Sequence, residues 1–209
     1  MTDFLGLDLH TTKETFIPRP ETELLVEVCL GVMQELQADS PLHILDIGTG
    51  TGNIAIPLTK IRRDCKIVAL DKSEEALAVA GKNAEKFGVL DKIEFVTSDI
   101  FSSLARARKF DIIVSNPPYV STWEIATLSD CVKDEPRMAL DGGEDGLDFY
   151  RRIIADAPGF LKGPGCLIME IGYNQSFYVK RLLEEARFKD IEIFKDSSGI
   201  DRVIKAKNG

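Results

Sequence analysis

One stretch decides the fold of this chain: Leu42-His43-Ile44-Leu45-Asp46-Ile47-Gly48-Thr49-Gly50-Thr51-Gly52. Residues 42–47 form a compact apolar pattern that predicts a buried strand. Three glycines follow at alternate positions, and glycine adopts backbone conformations that other residues avoid, so the chain can turn sharply and approach a ligand closely. Amide groups at the start of a following helix would face an anionic part of such a ligand. The stretch therefore predicts a strand, a ligand-binding turn and a helix in succession.

Strand and helix patterns alternate along the rest of the chain. Such alternation is typical of a mostly parallel, doubly wound α/β sheet with helices on both faces. Ligands bind beyond the carboxyl ends of the strands in such sheets, where Asp46, Asp71, Asp99 and Asn116 stand in this sequence. Strands are predicted over residues 42–47, 65–70, 93–97, 110–115 and 166–171, with a final pair over residues 191–194 and 202–205. Helices are predicted over residues 21–36, 54–61, 73–87, 146–157 and 175–187.

Composition and charge exclude several classes of protein. The chain has 209 residues, enough for one domain with a substantial core, and its formal net charge of −8 opposes the basic surface that stable nucleic-acid binding needs. Its four cysteines are widely spaced without a Cys-x-x-Cys pair, so we predict neither a metal site nor a disulfide framework. The sequence has neither an apolar run of about 20 residues nor a signal-peptide pattern, which predicts a cytoplasmic protein that does not bind membranes.

The glycine turn and the next strand together indicate a nucleoside-containing ligand. Asn53 stands where a dinucleotide-binding fingerprint requires its third glycine, so that fingerprint fails. Asp71 closes the second predicted strand, where a carboxylate can accept hydrogen bonds from ribose hydroxyls. This combination favours S-adenosylmethionine over a nicotinamide, because a sulfonium cofactor needs no cradle for a pyrophosphate. A purely structural turn, with Asp71 as an acidic residue at a helix start, is the alternative.

A second motif, Asn116-Pro117-Pro118-Tyr119, follows the strand predicted over residues 110–115, and we call it the clasp. Its prolines fix the backbone and leave stiff carbonyl acceptors. Asn116 adds a side-chain oxygen, so one planar NH2 group can donate one proton to Asn116 and another to a neighbouring carbonyl. Tyr119 can cover the face of that group. The clasp thus predicts a grip for a flat amino group, and a simple strand-to-loop turn is the alternative.

These two motifs and several others resemble those of a known family. Across nearly its whole length the chain resembles the HemK/PrmC-like release factor glutamine methyltransferases. The glycine turn occurs in many methyltransferases and the clasp also in adenine-amino methyltransferases, whereas the segments around Pro18 and Asp141 are more particular. The other matching segments are Phe16-Ile17-Pro18-Arg19-Pro20-Glu21-Thr22-Glu23, Glu135-Pro136-Arg137, Leu140-Asp141-Gly142-Gly143-Glu144-Asp145-Gly146-Leu147, Glu170-Ile171-Gly172 with Gln175, and Gly199-Ile200-Asp201-Arg202-Val203.

The resemblance implies a fold, a substrate, a cofactor and a set of site residues. The fold is the Rossmann-like one of class I methyltransferases, a seven-stranded, mostly parallel sheet with an antiparallel C-terminal strand. The substrate is the glutamine amide in the Gly-Gly-Gln motif of a peptide chain release factor. The expected catalytic and substrate-binding residues are Asn116, Pro117, Pro118 and Tyr119, with Arg19 as a further substrate-binding candidate. The cofactor S-adenosylmethionine is assigned to Asp46, Gly48, Thr49, Gly50, Thr51, Gly52, Asp71, Asp99, Ile100 and Asn116.

The resemblance also gives an expected domain organisation. Residues 1–40 are expected to form a lead-in segment and a helix that pack on a methyltransferase domain of residues 41–209. Relatives usually carry a helical recognition domain further upstream, and the sequence leaves open whether the natural protein has one. The oligomeric state is not predicted.

Several side chains keep two interpretations. Arg19 can steer a substrate or pair with Glu21 or Glu23. Trp123 can be a substrate lid or a hydrophobic plug, and Glu170 can line the pocket or make a structural bond. The sequence shows no evident general base, and Asp46 fits better as support for the glycine turn or for the methionine part of the cofactor.

Two other functions remain as alternatives. An adenine-amino methyltransferase would also act on a planar, conjugated nitrogen, and the acidic charge of the chain counts against it. A non-catalytic cofactor-binding partner is the second alternative, and such a partner would not need an intact clasp.

Overall fold

The computed structural model describes residues 1–36 and 41–209. Its α-helices are α1 (Glu23–Glu35), α2 (Ala55–Ile61), α3 (Glu74–Lys86), α4 (Thr122–Ile125), α5 (Asp130–Lys133), α6 (Asp148–Asp156) and α7 (Ser176–Glu185). Its strands are β1 (Thr2–Phe4), β2 (Leu7–Leu9), β3 (Leu42–Ile47), β4 (Cys65–Asp71), β5 (Ile93–Thr97), β6 (Phe110–Ser115), β7 (Leu161–Glu170), β8 (Lys189–Lys195) and β9 (Asp201–Lys207). None of the helices in this part of the chain has the length and apolar character needed to cross a membrane.

Seven strands of the described residues form one sheet in the order β5-β4-β3-β6-β7-β9-β8. Neighbouring strands from β5 to β7 are parallel, and β9 runs antiparallel to both β7 and β8. The strand order reverses at β3, which pairs with β4 on one side and β6 on the other. A crevice for ligands opens at such a reversal, beyond the carboxyl ends of the strands. The predicted Rossmann-like sheet with an antiparallel C-terminal strand is confirmed.

Helices cover both faces of this sheet. One core contains residues of α1, α2, α3 and the β1–β2 hairpin, and the other contains residues of α6 and α7. Side chains of a strand alternate between faces, so Leu42 and Ile44 of β3 join the first core and Leu45 and Ile47 join the second. Burial on both faces explains why β3 is almost continuously apolar.

The N-terminal segment contains a hairpin that the sequence did not predict. β1 and β2 pair in antiparallel fashion across Leu5 and Gly6, both of which have positive φ angles, as a tight hairpin turn requires. Leucine is not typical of such a turn, so the sequence pattern did not predict the hairpin. The helix that follows was predicted with Leu24, Leu25, Val28 and Val32 on its buried face. The structure instead rotates this face slightly and fully buries Leu25, Val26, Cys29, Val32 and Met33.

Two regions differ from the predicted boundaries. β7 begins at Leu161 rather than residue 166, because Leu161 already pairs with Phe110. The next pair is Ile112 with Cys166, so the register shifts between these two pairs and the intervening turn-like residues of β7 bulge out. The helix predicted over residues 146–157 is shorter and spans Asp148–Asp156. The long polar segment after the clasp contains the short helices α4 and α5, and a capping box of Ser121 and Glu124 starts α4.

Candidate active site

A pocket of about 740 Å³ opens at the carboxyl ends of β3, β4, β5 and β6. Most of the residues predicted for cofactor and substrate converge there, although they come from four separate strand ends. Alternating topology brings these ends to one edge of the sheet, which is why motifs far apart in sequence share the pocket. The predicted residues that line it are Gly48, Gly50, Thr51, Asp71, Asp99, Ile100, Asn116, Pro117, Pro118 and Tyr119.

Three residues predicted to bind the cofactor, Asp46, Thr49 and Gly52, are not among those that line the pocket in the described part of the chain. Asp46 and Thr49 are fully buried, and the Thr49 hydroxyl donates to Asp46 Oδ2 over 2.7 Å. Burial raises the pKa of Asp46 to about 7. Gly52 has a φ of +82°, and a Cβ there would lie 2.8 Å from Ile56 Cδ1. These three residues therefore shape the glycine turn from beneath.

The pocket side of the glycine turn has room for a ligand. A Cβ at Gly50 would meet no atom within 4 Å, and one at Gly48 would meet only the backbone oxygen of Asn116, at 4.0 Å. The Thr51 hydroxyl is buried without a hydrogen-bond partner in the described part of the chain. This open face and unpaired hydroxyl fit a cofactor that packs directly on the turn.

Asp71 is tied to the same turn. Its carboxylate accepts from the backbone N–H of Gly50 and of Ser73, each over 2.9 Å. Burial raises the pKa of Asp71, and these two backbone donors offset part of the rise. Each carboxylate oxygen keeps a further lone pair, so Asp71 can still accept from two hydroxyls of a ribose. Helix α3 begins just after Asp71, and Ser73 caps it by accepting a hydrogen bond from the Ala76 N–H.

Asp99 and Ile100 form one wall of the pocket. Asp99 accepts from Arg152 Nη2 over 2.9 Å and lies 3.5 Å from Lys72 Nζ, so its charge is largely neutralised. Ile100 is buried with a φ of +56°, an unusual conformation for a β-branched residue. The Ser98 hydroxyl donates to the Ile100 carbonyl over 2.9 Å and helps to hold this conformation. The wall is apolar at Ile100 and polar at Asp99, which suits the face and edge of an adenine ring.

The clasp is held by buried polar groups behind it. Asn116 Nδ2 donates to Thr22 Oγ1 over 3.2 Å, and the Tyr119 hydroxyl donates to Glu170 Oε1 over 3.3 Å. Burial raises the pKa of Glu170 to about 7. Burial also raises the pKa of Tyr119, with the Glu170 charge as the next cause, so the phenol stays protonated. Glu170 therefore makes the structural bond that was one of its two interpretations.

The Asp-Gly-Gly segment lies directly against the clasp, a role that sequence reasoning missed. A Cβ at Gly142 would lie 2.8 Å from the Pro118 carbonyl oxygen and 2.9 Å from Tyr119 Cα. The Gly142 N–H donates to the Val120 carbonyl over 2.8 Å, and Gln175 Nε2 donates to the Tyr119 carbonyl over 2.9 Å. The glycine thus allows two backbone segments to touch, and the family motif was the only signal of it.

Arg19 is paired with Glu135 rather than with Glu21 or Glu23, and it does not line the pocket among the described residues. Glu135 is buried and also accepts from the Ile17 N–H over 3.1 Å. This cluster ties the Pro-Arg-Pro segment to the Glu-Pro-Arg segment at one edge of the pocket, which Phe16 lines. The sequence alone could not match Arg19 to a partner so distant in the chain. Trp123 is 77% exposed, so its interpretation as a hydrophobic plug is wrong.

The fold and the pocket define a class I S-adenosylmethionine-dependent methyltransferase. The chain matches the family described as Methyltransferase small domain over residues 27–144. The solved hMettl16 catalytic domain, in complex with an RNA hairpin, aligns with a TM-score of 0.76 at 18% identity and covers 98% of this chain and 76% of its own. A methyltransferase from Pyrococcus furiosus aligns with a TM-score of 0.69 at 17% identity, covering 98% of this chain and 90% of its own. At these identities the likeness shows the fold.

Curated relatives identify the family within this class. The release factor glutamine methyltransferase of Clostridium acetobutylicum is 40% identical over 209 residues, which cover 99% of this chain and 72% of that protein. The protein of the same name from Agrobacterium fabrum is 42% identical, with 97% and 70% covered, and that from Fusobacterium nucleatum is 41% identical, with 98% and 57% covered. The chain belongs to the release factor glutamine methyltransferase family. It is an N-methyltransferase whose cofactor is S-adenosylmethionine.

Proposed function

We propose that this chain transfers the methyl group of S-adenosylmethionine to the side-chain amide nitrogen of the glutamine in the Gly-Gly-Gln motif of a peptide chain release factor. The orientation of Asn116 is the observation that carries the proposal. Its Nδ2 is bonded to buried Thr22, so its oxygen would be the branch left to face the pocket, where the carbonyl of the lining residue Pro117 would be the second acceptor. Two acceptors at one place suit the two protons of a primary amide.

The chain's own residues would act mainly by placing the substrate. An amide nitrogen is a poor nucleophile because its lone pair is delocalised into the carbonyl group. Asn116 and the Pro117 carbonyl would accept its two protons and favour the positive charge that develops on nitrogen. The Tyr119 ring would fix the plane of the amide. Orientation of this kind contributes several kcal/mol to a transfer reaction.

We propose that the cofactor lies between the glycine turn and the Ile100 wall. Gly48, Gly50 and Thr51 would contact its amino acid part, Asp71 its ribose hydroxyls, and Asp99 with Ile100 its adenine. When bound, it supplies a methyl group made electrophilic by a sulfonium. Tyr119 stays protonated and therefore cannot serve as a base. A proton would leave the methylated nitrogen to water, because positive charge on that nitrogen makes its protons acidic.

We also propose a role for the N-terminal residues, a location for the protein and the absence of stable nucleic-acid binding. Residues 1–36 would act as part of the catalytic unit, since the β1–β2 hairpin and α1 contribute to a core of the sheet. A release factor substrate would place the protein in the cytoplasm, where translation ends. The net charge of −8 argues against stable nucleic-acid binding and against an adenine-amino substrate in DNA or RNA.

Purified release factors test this proposal. The chain would be incubated with labelled S-adenosylmethionine and a release factor, either unaltered or with the Gly-Gly-Gln glutamine replaced by asparagine. We expect label on the unaltered protein alone. Label that persists without that glutamine, or that appears instead on an adenine-containing oligonucleotide, would refute the proposed acceptor.

A further inference from the structure

A line of polar groups runs behind the clasp and is sealed from solvent. Thr22 is 0% exposed and Glu170 is 1% exposed. Thr22 accepts from Asn116 Nδ2 over 3.2 Å, and Glu170 Oε1 accepts from the Tyr119 hydroxyl over 3.3 Å. Glu170 Oε2 is buried and lacks a geometrically well-formed hydrogen bond in the described part of the chain. The Thr22 hydroxyl also favours the ionised form of this carboxyl group and so lowers its pKa against the effect of burial.

We propose that Glu170 and Thr22 are positioning residues that fix which end of the Asn116 amide points into the pocket. This inference rests on the proposed function and gives a reason for the threonine of the Pro-Arg-Pro-Glu-Thr-Glu segment. Neither residue lines the pocket among the described residues, so each acts through the clasp rather than on the substrate.

The polarity of the line follows from the chemistry of its members. An ionised carboxylate only accepts hydrogen bonds, so the hydroxyl proton of Thr22, whose oxygen already accepts from Asn116, would be directed to the unpaired Oε2 of Glu170. The lone pairs of Thr22 then face Asn116, which must present its NH2 group to them. The amide oxygen of Asn116 is therefore held toward the pocket. A rotated amide would present NH2 to the NH2 group of the substrate, two donors that cannot bond each other.

Protonation of Glu170 reverses this order. A neutral carboxyl can donate to Thr22, whose own proton is then free to turn toward Asn116 and draw the amide oxygen away from the pocket. Burial raises the pKa of Glu170 to about 7, so the reversal falls near neutral pH. The ionised form, and with it the correct amide orientation, is present above this pH and lost below it. Among the described residues, the groups near the Glu170 carboxyl are Thr22, Tyr119 and Tyr150 of α6, with Arg202 of β9 favouring its ionised form and Glu21 opposing it.

Variants of Thr22 separate positioning from simple support of the fold. We expect Thr22→Val to lower kcat about tenfold with little change in cofactor affinity, and Thr22→Ser to restore most of the activity. Thr59→Val is the matched control, because Thr59 is equally buried and its hydroxyl donates to the Ala55 carbonyl over 2.7 Å, away from the clasp. In an Asn116→Ala background, Thr22→Val should cause no further loss of kcat.

The pH profile is a second readout. The wild-type kcat should fall as the pH drops through about 7, and both Glu170→Gln and Thr22→Val should flatten this acid limb. Asp46 also has a pKa raised to about 7, but it lies beneath the glycine turn. An acid limb that persists unchanged in Thr22→Val would belong to another group such as Asp46 and would contradict the positioning role.

A spectroscopic measurement decides the inference independently of methyl transfer. In isotope-labelled protein without substrate, the side-chain NH2 resonances of Asn116, assigned with Asn116→Gln, should shift with a midpoint near pH 7 in the wild type and not in Thr22→Val. If these resonances do not change with pH in the wild type, the positioning role would be refuted even if release factors are methylated. Conversely, a chain that shows this titration but fails to methylate any release factor would contradict the proposed function alone.

Discussion

Replacing Gly142 with alanine is expected to displace the backbone that carries the clasp. The new Cβ would lie 2.8 Å from the Pro118 carbonyl oxygen, 2.9 Å from the Gly146 carbonyl oxygen and 2.9 Å from Tyr119 Cα. Backbone atoms cannot move away by a change of rotamer. Lengthening the 2.8 Å distance to an ordinary contact of about 3.4 Å requires the two segments to separate by about 0.6 Å.

This separation has a cost in stability and in rate. Overpacked sites typically lose about 1–3 kcal/mol, and the rigid neighbours of Gly142 place this variant near the upper end, at about 2–3 kcal/mol. A chain of this size would then melt roughly 4–12 °C lower. A displacement of about 0.6 Å at the residues that hold the substrate also costs a large rate factor, so we expect kcat to fall on the order of tenfold.

The assay pairs urea unfolding with methyl transfer to a release factor and calorimetry of cofactor binding. Gly81→Ala is the control, because Gly81 lies within α3 and a Cβ there would meet no atom within 4 Å. That change should raise the unfolding free energy by about 0.5–1 kcal/mol, since alanine favours a helix more than glycine does. Wild-type stability and turnover in Gly142→Ala would refute the close packing inferred here.

Three further changes probe other parts of the structure. Arg19→Ala should lower the unfolding free energy measured in urea titrations by about 1–3 kcal/mol, because it leaves the buried Glu135 carboxylate without its cation. Loss of substrate binding at unchanged stability would instead favour a role of Arg19 in steering the substrate. Ser73→Ala should cost about 1 kcal/mol by removing the cap of α3, and no loss would contradict that cap. Burial raises the pKa of the Asp46 carboxyl from its ordinary 3.8 to about 7, so the folded state binds this proton more tightly and stability declines as the pH rises between these values. Asp46→Asn should flatten that decline in unfolding free energies measured from pH 4 to pH 8, and an unchanged slope would show that other groups cause it.

Much of the fold was predictable because it depends on local patterns. The bounds of β3 and β5 and the Ser73 cap of α3 agree with the sequence, since each is written in nearby residues. The hairpin at Leu5 was not predicted, because a leucine with positive φ is rare and the core packing of Phe4 and Leu7 on either side of it is a tertiary feature. Propensity carries no information about such packing.

The sequence predicted which strand ends form the site but not the contacts that individual side chains make there. Parallel topology alone places Asp71, Asp99 and Asn116 at one pocket. Which side chains face that pocket depends on long-range contacts, so Asp46 turned out to lie beneath the turn and Arg19 to pair with Glu135. The bond from Asn116 to Thr22 joins residues 94 positions apart, and no local pattern encodes it.

The kinetics of Asn116→Ala test the central claim, that the amide oxygen of Asn116 holds the glutamine amide for transfer. Turnover on a release factor and the Kd for S-adenosylmethionine would be measured on the same preparation. We expect kcat to fall about a hundredfold, as when one preorganised polar contact to a reacting group is removed, while the Kd for the cofactor changes by less than about threefold. Turnover equal to that of the wild type, or a loss explained entirely by weaker cofactor binding, would contradict it.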